Sequence, residues 1–243
     1  MSSHPIELLR FANAAALADA AAKAWIRAVT ESGREKKPHF VALSGGRIVR
    51  DFYQNAVKAA RAQHTSFGHV HFFWGDERCV HPDDPESNFG LAQALLFEPL
   101  AINDSRIHRI HGELPAAEAA SKMNTEVFGL LPQNASGRPI FDLIFLGLGE
   151  DAHVASLFPG APAEVIAADG PFLPVTGPKP PPQRITVSYR TISEATEVWV
   201  LASGTGKEKA LSDSLKANST TPLGRVLAGR ASTQIFTDIR DAT

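Results

Sequence analysis

Four short apolar runs in this chain each end in a polar, glycine-bearing turn, and segments with helical periodicity lie between them. Phe40 to Leu43 runs into Ser44-Gly45-Gly46, and Val70 to Trp74 into Gly75-Asp76-Glu77-Arg78. Phe141 to Leu146 runs into Gly147-Leu148-Gly149-Glu150-Asp151, and Val198 to Ala202 into Ser203-Gly204-Thr205-Gly206-Lys207. A strand that is apolar without interruption has to be covered on both faces. Strand, glycine-rich turn and helix in repetition is the pattern of parallel βαβ units. The expected fold class is therefore α/β, a three-layer αβα domain around a mostly parallel, Rossmann-like sheet. In such sheets ligands bind beyond the carboxyl ends of the strands. All four turns fall there, so one site built from them is expected.

The intervening segments supply the covering layers. Leu17, Ala21, Trp25 and Val29 recur at i+4 and line one helix face, with Asn13 placed to cap it. Residues 88–97 and 115–131 also read as helical, and Thr220-Thr221-Pro222 reads as a helix start with proline in the first turn. Ile185, Val187 and Tyr189 alternate with polar residues, which predicts a strand covered on one face only. The stretch 170–182, with prolines at 171, 174, 178 and 180 to 182, reads as an extended crossing loop. The apolar strand pattern resumes straight after it, so the whole chain, 1–243, is expected to form one domain.

With 44% hydrophobic and 21% charged residues, the chain can bury a sizeable core. A formal net charge of -2 supplies no global basic field for nucleic acid. Cys79 is the one cysteine, which excludes an intrachain disulfide and a cysteine-based zinc cage and fits a reducing compartment. The start, Met1 to Phe11, lacks the pattern of a secretory leader, and no apolar stretch approaches the ~18–20 residues of a membrane span. These readings predict a cytoplasmic protein with no membrane or nucleic-acid partner, as a monomer or weak dimer. His69 with His71, and His108 with His111, have metal-ligand spacing but no evident third ligand, so no metal is expected. Trp25, Trp74 and Trp199 sit in apolar runs and are expected in the core.

Chemistry concentrates in the turns. His153 follows the third turn directly behind Glu150 and Asp151. An imidazole takes a proton near neutral pH, and an adjacent carboxylate fixes its tautomer and raises its basicity. Asp76 can accept bonds from sugar hydroxyls, and Arg78 can hold a phosphate oxygen or a developing oxyanion. Ser44-Gly45-Gly46 before a helix offers backbone N–H groups to an anion. Arg184 at a strand start and Lys207 after the fourth strand are candidate phosphate ligands, one a planar fork and the other a point charge.

Four segments resemble those of the 6-phosphogluconolactonases. Residues 147–160, Gly-Leu-Gly-Glu-Asp-Ala-His-Val-Ala-Ser-Leu-Phe-Pro-Gly, are similar to that family's signature. The resemblance implies that His153 is the catalytic base, oriented by Asp151 or Glu150. Trp74 to Pro82, with Ser87-Asn88 some ten residues on, resembles a family segment that lines the pocket, which places Asp76, Glu77, Arg78 and Asn88 there. Ser44-Gly45-Gly46 matches the family's phosphate loop, but Arg47-Ile48-Val49 stands where the family has Ser-Thr-Pro, so a cation replaces two hydroxyls. Lys179 to Thr186 and Gly204 to Lys207 resemble two more family segments and bring Arg184 and Lys207 to the substrate. Ala152 stands where the family usually has glycine; if the position needs positive φ, alanine costs about 1 kcal/mol.

The resemblance implies hydrolysis of 6-phospho-D-glucono-1,5-lactone to 6-phosphogluconate in the oxidative pentose phosphate pathway, with a sugar-phosphate lactone as partner and no cofactor. Two other readings stand beside it. Amino-sugar-phosphate isomerase/deaminases resemble the same glycine-rich segment but carry glutamate where this chain has Phe158, and a benzyl group cannot relay protons. A non-catalytic sugar-phosphate sensor would have no use for a base beside a carboxylate.

Overall fold

The computed structural model describes residues 6–240. Met1 to Pro5, the start of the segment read above as free of a leader pattern, and residues 241–243 lie outside the described residues.

The chain builds strands β1 (Ile6–Arg10), β2 (His39–Leu43), β3 (Val70–Trp74), β4 (Asp76–Arg78), β5 (Leu143–Gly147), β6 (Phe172–Thr176), β7 (Gln183–Val187), β8 (Glu197–Ala202) and β9 (Thr233–Thr237). Helices α1 (Ala14–Arg34), α2 (Arg47–Gln63), α3 (Asn88–Ala92), α4 (Glu98–Leu100), α5 (Ala116–Leu130), α6 (Ala163–Ile166), α7 (Tyr189–Glu194), α8 (Glu208–Leu215) and α9 (Pro222–Ala228) connect them. Six strands form a parallel sheet in the order β1-β9-β8-β5-β2-β3. The four apolar runs are its adjacent strands β8-β5-β2-β3, with β3 at the edge, and every residue of β2 is buried.

Alternate side chains on the strands show the two covering layers. Phe72 points to one face, where its ring packs on Trp25 of α1 and on Phe97. Its neighbour Phe73 points to the other and packs on His108 and Phe141. Trp25 also meets Phe52 of α2 and Phe145 of β5, so α1 and α2 seal one side of the sheet through aromatic contacts. Asn13 caps α1 by accepting from Ala16 N, and Thr221 caps α9 ahead of Pro222. Trp25, Trp74 and Trp199 are all buried.

The second sheet corrects two expectations. Asp76–Arg78 is a short strand rather than a turn, and 172–176 is a strand rather than a crossing loop. They flank β7 in the antiparallel order β4-β7-β6. Pro174 fits because β6 is an edge strand and needs no second ladder. The prolines at 178 and 180 to 182 make the hairpin turn, closed by Gly177 N donating to Pro182 O at 2.7 Å. The strand expected to be half-covered is buried on both faces: Arg184, Ile185, Thr186 and Val187 are all under 9% exposed. It ends before Tyr189, because Ser188 caps α7 by accepting from Thr191 N.

The histidines pair differently from their sequence spacing, and no cluster able to hold a metal occurs among the described residues. His71 and His108 form one chain with Arg106 and Glu126. Arg106 Nη1 lies 2.6 Å from His71 Nε2, His71 Nδ1 2.9 Å from His108 Nε2, and His108 Nδ1 2.6 Å from Glu126 Oε1. A guanidinium only donates, so His71 Nε2 must accept. That leaves His71 Nδ1–H to donate to His108 and His108 Nδ1–H to donate to Glu126. Both rings are thus neutral, and a further proton would face an N–H. Burial, then Arg106 and His108, lower the His71 pKa to about 4. In the unfolded chain His71 takes up a proton near its ordinary value of about 6.5. Between those values the unfolded state binds more protons, so stability falls as pH drops through that window. His71→Gln, which cannot titrate, is expected to lose less stability than the wild type between pH 7 and pH 5. The difference should be about 1 kcal/mol once solvent screening of a partly exposed ring is allowed for. Urea midpoints at the two pH values measure it, and equal losses would refute the reading.

Candidate active site

The sheet reverses its direction of growth between β2 and β5: β3 lies on one side of β2, while β5, β8, β9 and β1 continue on the other. A crevice opens at the carboxyl ends of strands at such a point. The turns after β2 and β5 meet there, with Gly147 N donating to Ser44 Oγ at 3.2 Å. The cleft has about 540 Å³ of empty space and is lined by Ser44, Gly45, Gly46, Arg47, Asp76, Arg78, Asn88, His153, Arg184 and Lys207, with Ile48, Gly147, Leu148, Ala155 and Leu201 as its floor and walls. Ten of the thirteen residues expected at the site from sequence therefore line one cleft.

His153 is oriented by Asp151. Its Nδ1 lies 2.5 Å from Asp151 Oδ1, and its backbone N donates to the same oxygen at 3.2 Å. Nδ1–H donates to the carboxylate, which leaves Nε2 as the lone-pair nitrogen without a partner among the described residues. Burial alone would raise the Asp151 carboxyl; the hydrogen bond and charge of His153 outweigh it and hold the group below its ordinary value. Asp151 therefore stays ionised as imidazolium forms. Gly149 makes room for the pair: a Cβ there would lie 2.1 Å from His153 Nδ1 and 2.6 Å from Asp151 Oδ1. Ala152 has φ 67, the left-handed region, so the alanine bears the steric cost that glycine would avoid.

Two expected residues stand apart. Glu150 is exposed, is not in the cleft lining, and does not bond His153; its charge instead holds up the Lys207 ammonium. Of the two carboxylates considered, Asp151 is the one in contact. Glu77 is 2% exposed and also outside the lining. Its Oε1 accepts from Arg78 N and Asn88 N, and its Oε2 from Phe89 N and Ser87 Oγ. All four acceptor positions are taken, so Glu77 anchors the start of α3 and has none left for a substrate. Burial pushes its carboxyl up to about 7, against the pull of the Asn88, Phe89 and Arg78 N–H groups.

Among the described residues Arg47, Arg184 and Lys207 make no ion pair, while Arg78 Nη1 lies 3.7 Å from Glu86 Oε2. Burial, then Arg47, lower the Lys207 pKa; burial, then Arg78, lower that of Arg184. Arg184 lies with its guanidinium carbon 5.8 Å from the centroid of the Phe158 ring, and its Nε donates to Pro181 O at 3.1 Å. Arg78 donates through Nη1 to Glu86 O, while its buried Nε has no partner among the described residues. Asp76 is the one carboxylate in the lining against Arg47, Arg78, Arg184 and Lys207. Such a cleft favours an anion. Gly46, with φ 103, turns the chain into α2 so that its N-terminus faces the cleft.

Sequence reasoning gave no role to Ser156 and used Phe158 only against the isomerase/deaminase reading, not as a contact of the site. Ser156 is 1% exposed and bonds Asp76, 80 positions away, a contact that no local pattern reveals. Phe158 packs its ring 5.0 Å from the His153 ring as well as on Arg184. The signal available was its place in the same glycine-to-proline segment as the histidine.

A parallel α/β sheet, a switch-point cleft, a cationic lining and an aspartate-held imidazole define a protein that works on small anionic molecules. The profile of the family described as glucosamine-6-phosphate isomerases/6-phosphogluconolactonase matches residues 12–235. A 6-phosphogluconolactonase of Treponema pallidum is 35% identical over 172 residues, which cover 71% of this chain and 70% of that protein. The solved structure of 6-phosphogluconolactonase from Trypanosoma brucei, 26% identical, superposes with a TM-score of 0.86 over 98% of each chain. A monomeric glucosamine-6-phosphate deaminase, 19% identical with a TM-score of 0.81 over 97% of this chain and 98% of its own, shares the fold. The chain belongs to the glucosamine-6-phosphate isomerase/6-phosphogluconolactonase family. Among its described residues no helix is long and apolar enough to cross a membrane.

Proposed function

We propose that this protein hydrolyses 6-phospho-D-glucono-1,5-lactone to 6-phosphogluconate, the lactonase step of the oxidative pentose phosphate pathway, in the cytoplasm. The observation that carries the reading is the Asp151–His153 pair at 2.5 Å opening onto a cleft whose other charges are four cations and one carboxylate. The 35% identity to a 6-phosphogluconolactonase supports the same substrate.

The substrate phosphate docks against the Ser44-Gly45-Gly46 loop, Arg47, Arg184 and Lys207. Binding energy at that remote group positions the ring carbonyl. Neutral His153 takes a proton from water through Nε2 as the water oxygen bonds the carbonyl carbon, and Asp151 stabilises the imidazolium. Arg78, whose guanidinium lines the cleft, stabilises the tetrahedral oxyanion. The carbonyl re-forms, the bond to the ring oxygen breaks, and the leaving alkoxide takes the proton back from the imidazolium. Atoms and charge balance with one water consumed. Asp76 accepts from a sugar hydroxyl. No step needs a metal or an organic cofactor. The isomerase/deaminase reading lacks support at position 158, where a phenyl ring stands between His153 and Arg184.

A coupled assay on freshly generated 6-phosphogluconolactone, corrected for spontaneous opening, tests the proposal. Saturable acceleration is expected. A shift in melting temperature with 6-phosphogluconate but no acceleration would identify a sensor instead.

A further inference from the structure

The hydroxyl of Ser156 donates to Asp76 Oδ2 at 2.6 Å, with Ser156 1% and Asp76 6% exposed. Ser156 is itself held: its backbone N donates to Thr186 Oγ1 at 3.1 Å, and Thr186 Oγ1 donates on to Val187 O at 3.2 Å. With the threonine proton committed to that carbonyl, the serine backbone is tied to β7. Ala155, at φ 49, and the Val154–Leu157 bridge make the tight turn that swings Ser156 back under the cleft just after His153. Asp76 stands across the cleft on β4, and its other oxygen, Oδ1, has only a long contact of 3.4 Å from Asn88 Nδ2. The Asn88 amide in turn packs over Gly45, where a Cβ would lie 2.0 Å from Asn88 Oδ1. One chain of contacts thus joins the loops after β2, β3 and β5, and its strongest link is the serine.

We infer that Ser156 is a positioning residue for substrate recognition: it occupies Asp76 Oδ2 and fixes the carboxylate so that Oδ1 faces the cleft to accept a hydroxyl of the ligand. A short carboxylate side chain has a broad, two-fold torsion at its end, so an unheld Asp76 would sample orientations that present neither oxygen well. A charge-assisted O–H···O⁻ bond of this length is among the stronger ones, and burial strengthens it further. Ser156 touches no ligand and acts through Asp76 alone. This assignment rests on the cleft being the sugar-phosphate site.

A double-mutant cycle separates positioning from mere packing. Ser156→Ala is expected to lower kcat/KM by about tenfold to a hundredfold, the range that small misplacements of a binding group produce. Asp76→Ala should give a loss of similar or larger size, and the double variant should be little worse than Asp76→Ala alone, because the serine has nothing left to position. Ser156→Cys, which keeps a weak donor, should fall between wild type and alanine, and it replaces alanine in the cycle if that variant does not fold. The same cycle is read by calorimetry with 6-phosphogluconate, where the affinity losses should be equally non-additive. Multiplying losses in both readouts would overturn the role of Ser156 while leaving the lactonase reading intact. Binding of 6-phosphogluconate without turnover by the wild type would fail that reading but still score the cycle. Neither binding nor turnover would remove both.

Discussion

Replacing His153 by alanine is expected to cut the rate of lactone opening by about 10²–10⁴-fold, the usual range for a general base. The protein should stay folded. The ring is about one-third exposed at the cleft rim and bonds one side chain, Asp151, so its removal opens no core cavity. The loop keeps its other ties, since Gly149 N still donates to His153 O and Ala152 N to Gly149 O. The loss should appear in kcat more than in KM, because the proton moves in the transition state and ground-state binding rests on other groups. Asp151→Asn should also be impaired, since an amide offers no negative charge to the imidazolium. Stopped assays corrected for spontaneous hydrolysis, with circular dichroism as the folding control, measure all of this. A His153→Ala enzyme that retains near-wild-type kcat would dismiss the base.

The location of this site follows from local chain properties. Each short apolar run, two of them with a single polar residue (His71, Asp142), read as a covered strand, and each became a strand of the parallel sheet within one or two residues of the expected ends. The glycine-bearing turns had to lie at carboxyl ends, and those after β2, β3, β5 and β8 meet in the cleft. What the sequence did not disclose depends on tertiary partners. Ile185-Thr186-Val187 alternates in polarity, but Thr186 is buried because its hydroxyl serves Ser156 N and Val187 O. Alternation reports a half-covered strand only when polar side chains lack internal partners. The prolines of 170–182 suggested a loop; an edge strand tolerates Pro174 because nothing pairs beyond it. Glu77 and Asp76 look equivalent as neighbours in a charged triplet, yet a strand sends them to opposite sides. Asp76 faces the cleft, and Glu77 turns inward to four N–H and O–H donors. No spacing rule separates them without knowing that β4 is a strand. Likewise His71 and His108, 37 positions apart, form a pair that no local spacing suggests.

Lys207→Met is expected to raise KM for 6-phosphogluconolactone by about tenfold to a hundredfold, the equivalent of the ~1.5–3 kcal/mol of a hydrogen bond to a charged group. Its effect on the unphosphorylated lactone should be small. The ammonium bonds no protein group among the described residues, so its removal strands no protein partner. It is held partly out of water beside Arg47, and these two influences lower its pKa, with Glu150 and Asp238 acting in the opposite sense. An ammonium stressed in this way gains most when a phosphate arrives, and methionine keeps the bulk of the stem while removing the charge. Position 207 is fixed from behind: Asp238 accepts from Ser203 Oγ at 3.1 Å and from Gly204 N at 3.2 Å, and Lys207 O accepts from Leu211 N. The methionine variant should therefore keep the loop in place. Arg184→Met should act in the same direction but also lose the Phe158 contact and the bond to Pro181 O, so it should lower the melting temperature as well. The decisive quantity is the ratio of kcat/KM for phosphorylated over unphosphorylated lactone. A tenfold or greater fall in that ratio for Lys207→Met, with kcat nearly unchanged, is the expected result. An unchanged ratio would remove the lysine from the phosphate site and leave that work to Arg47, Arg184 and the Gly45-Gly46 backbone.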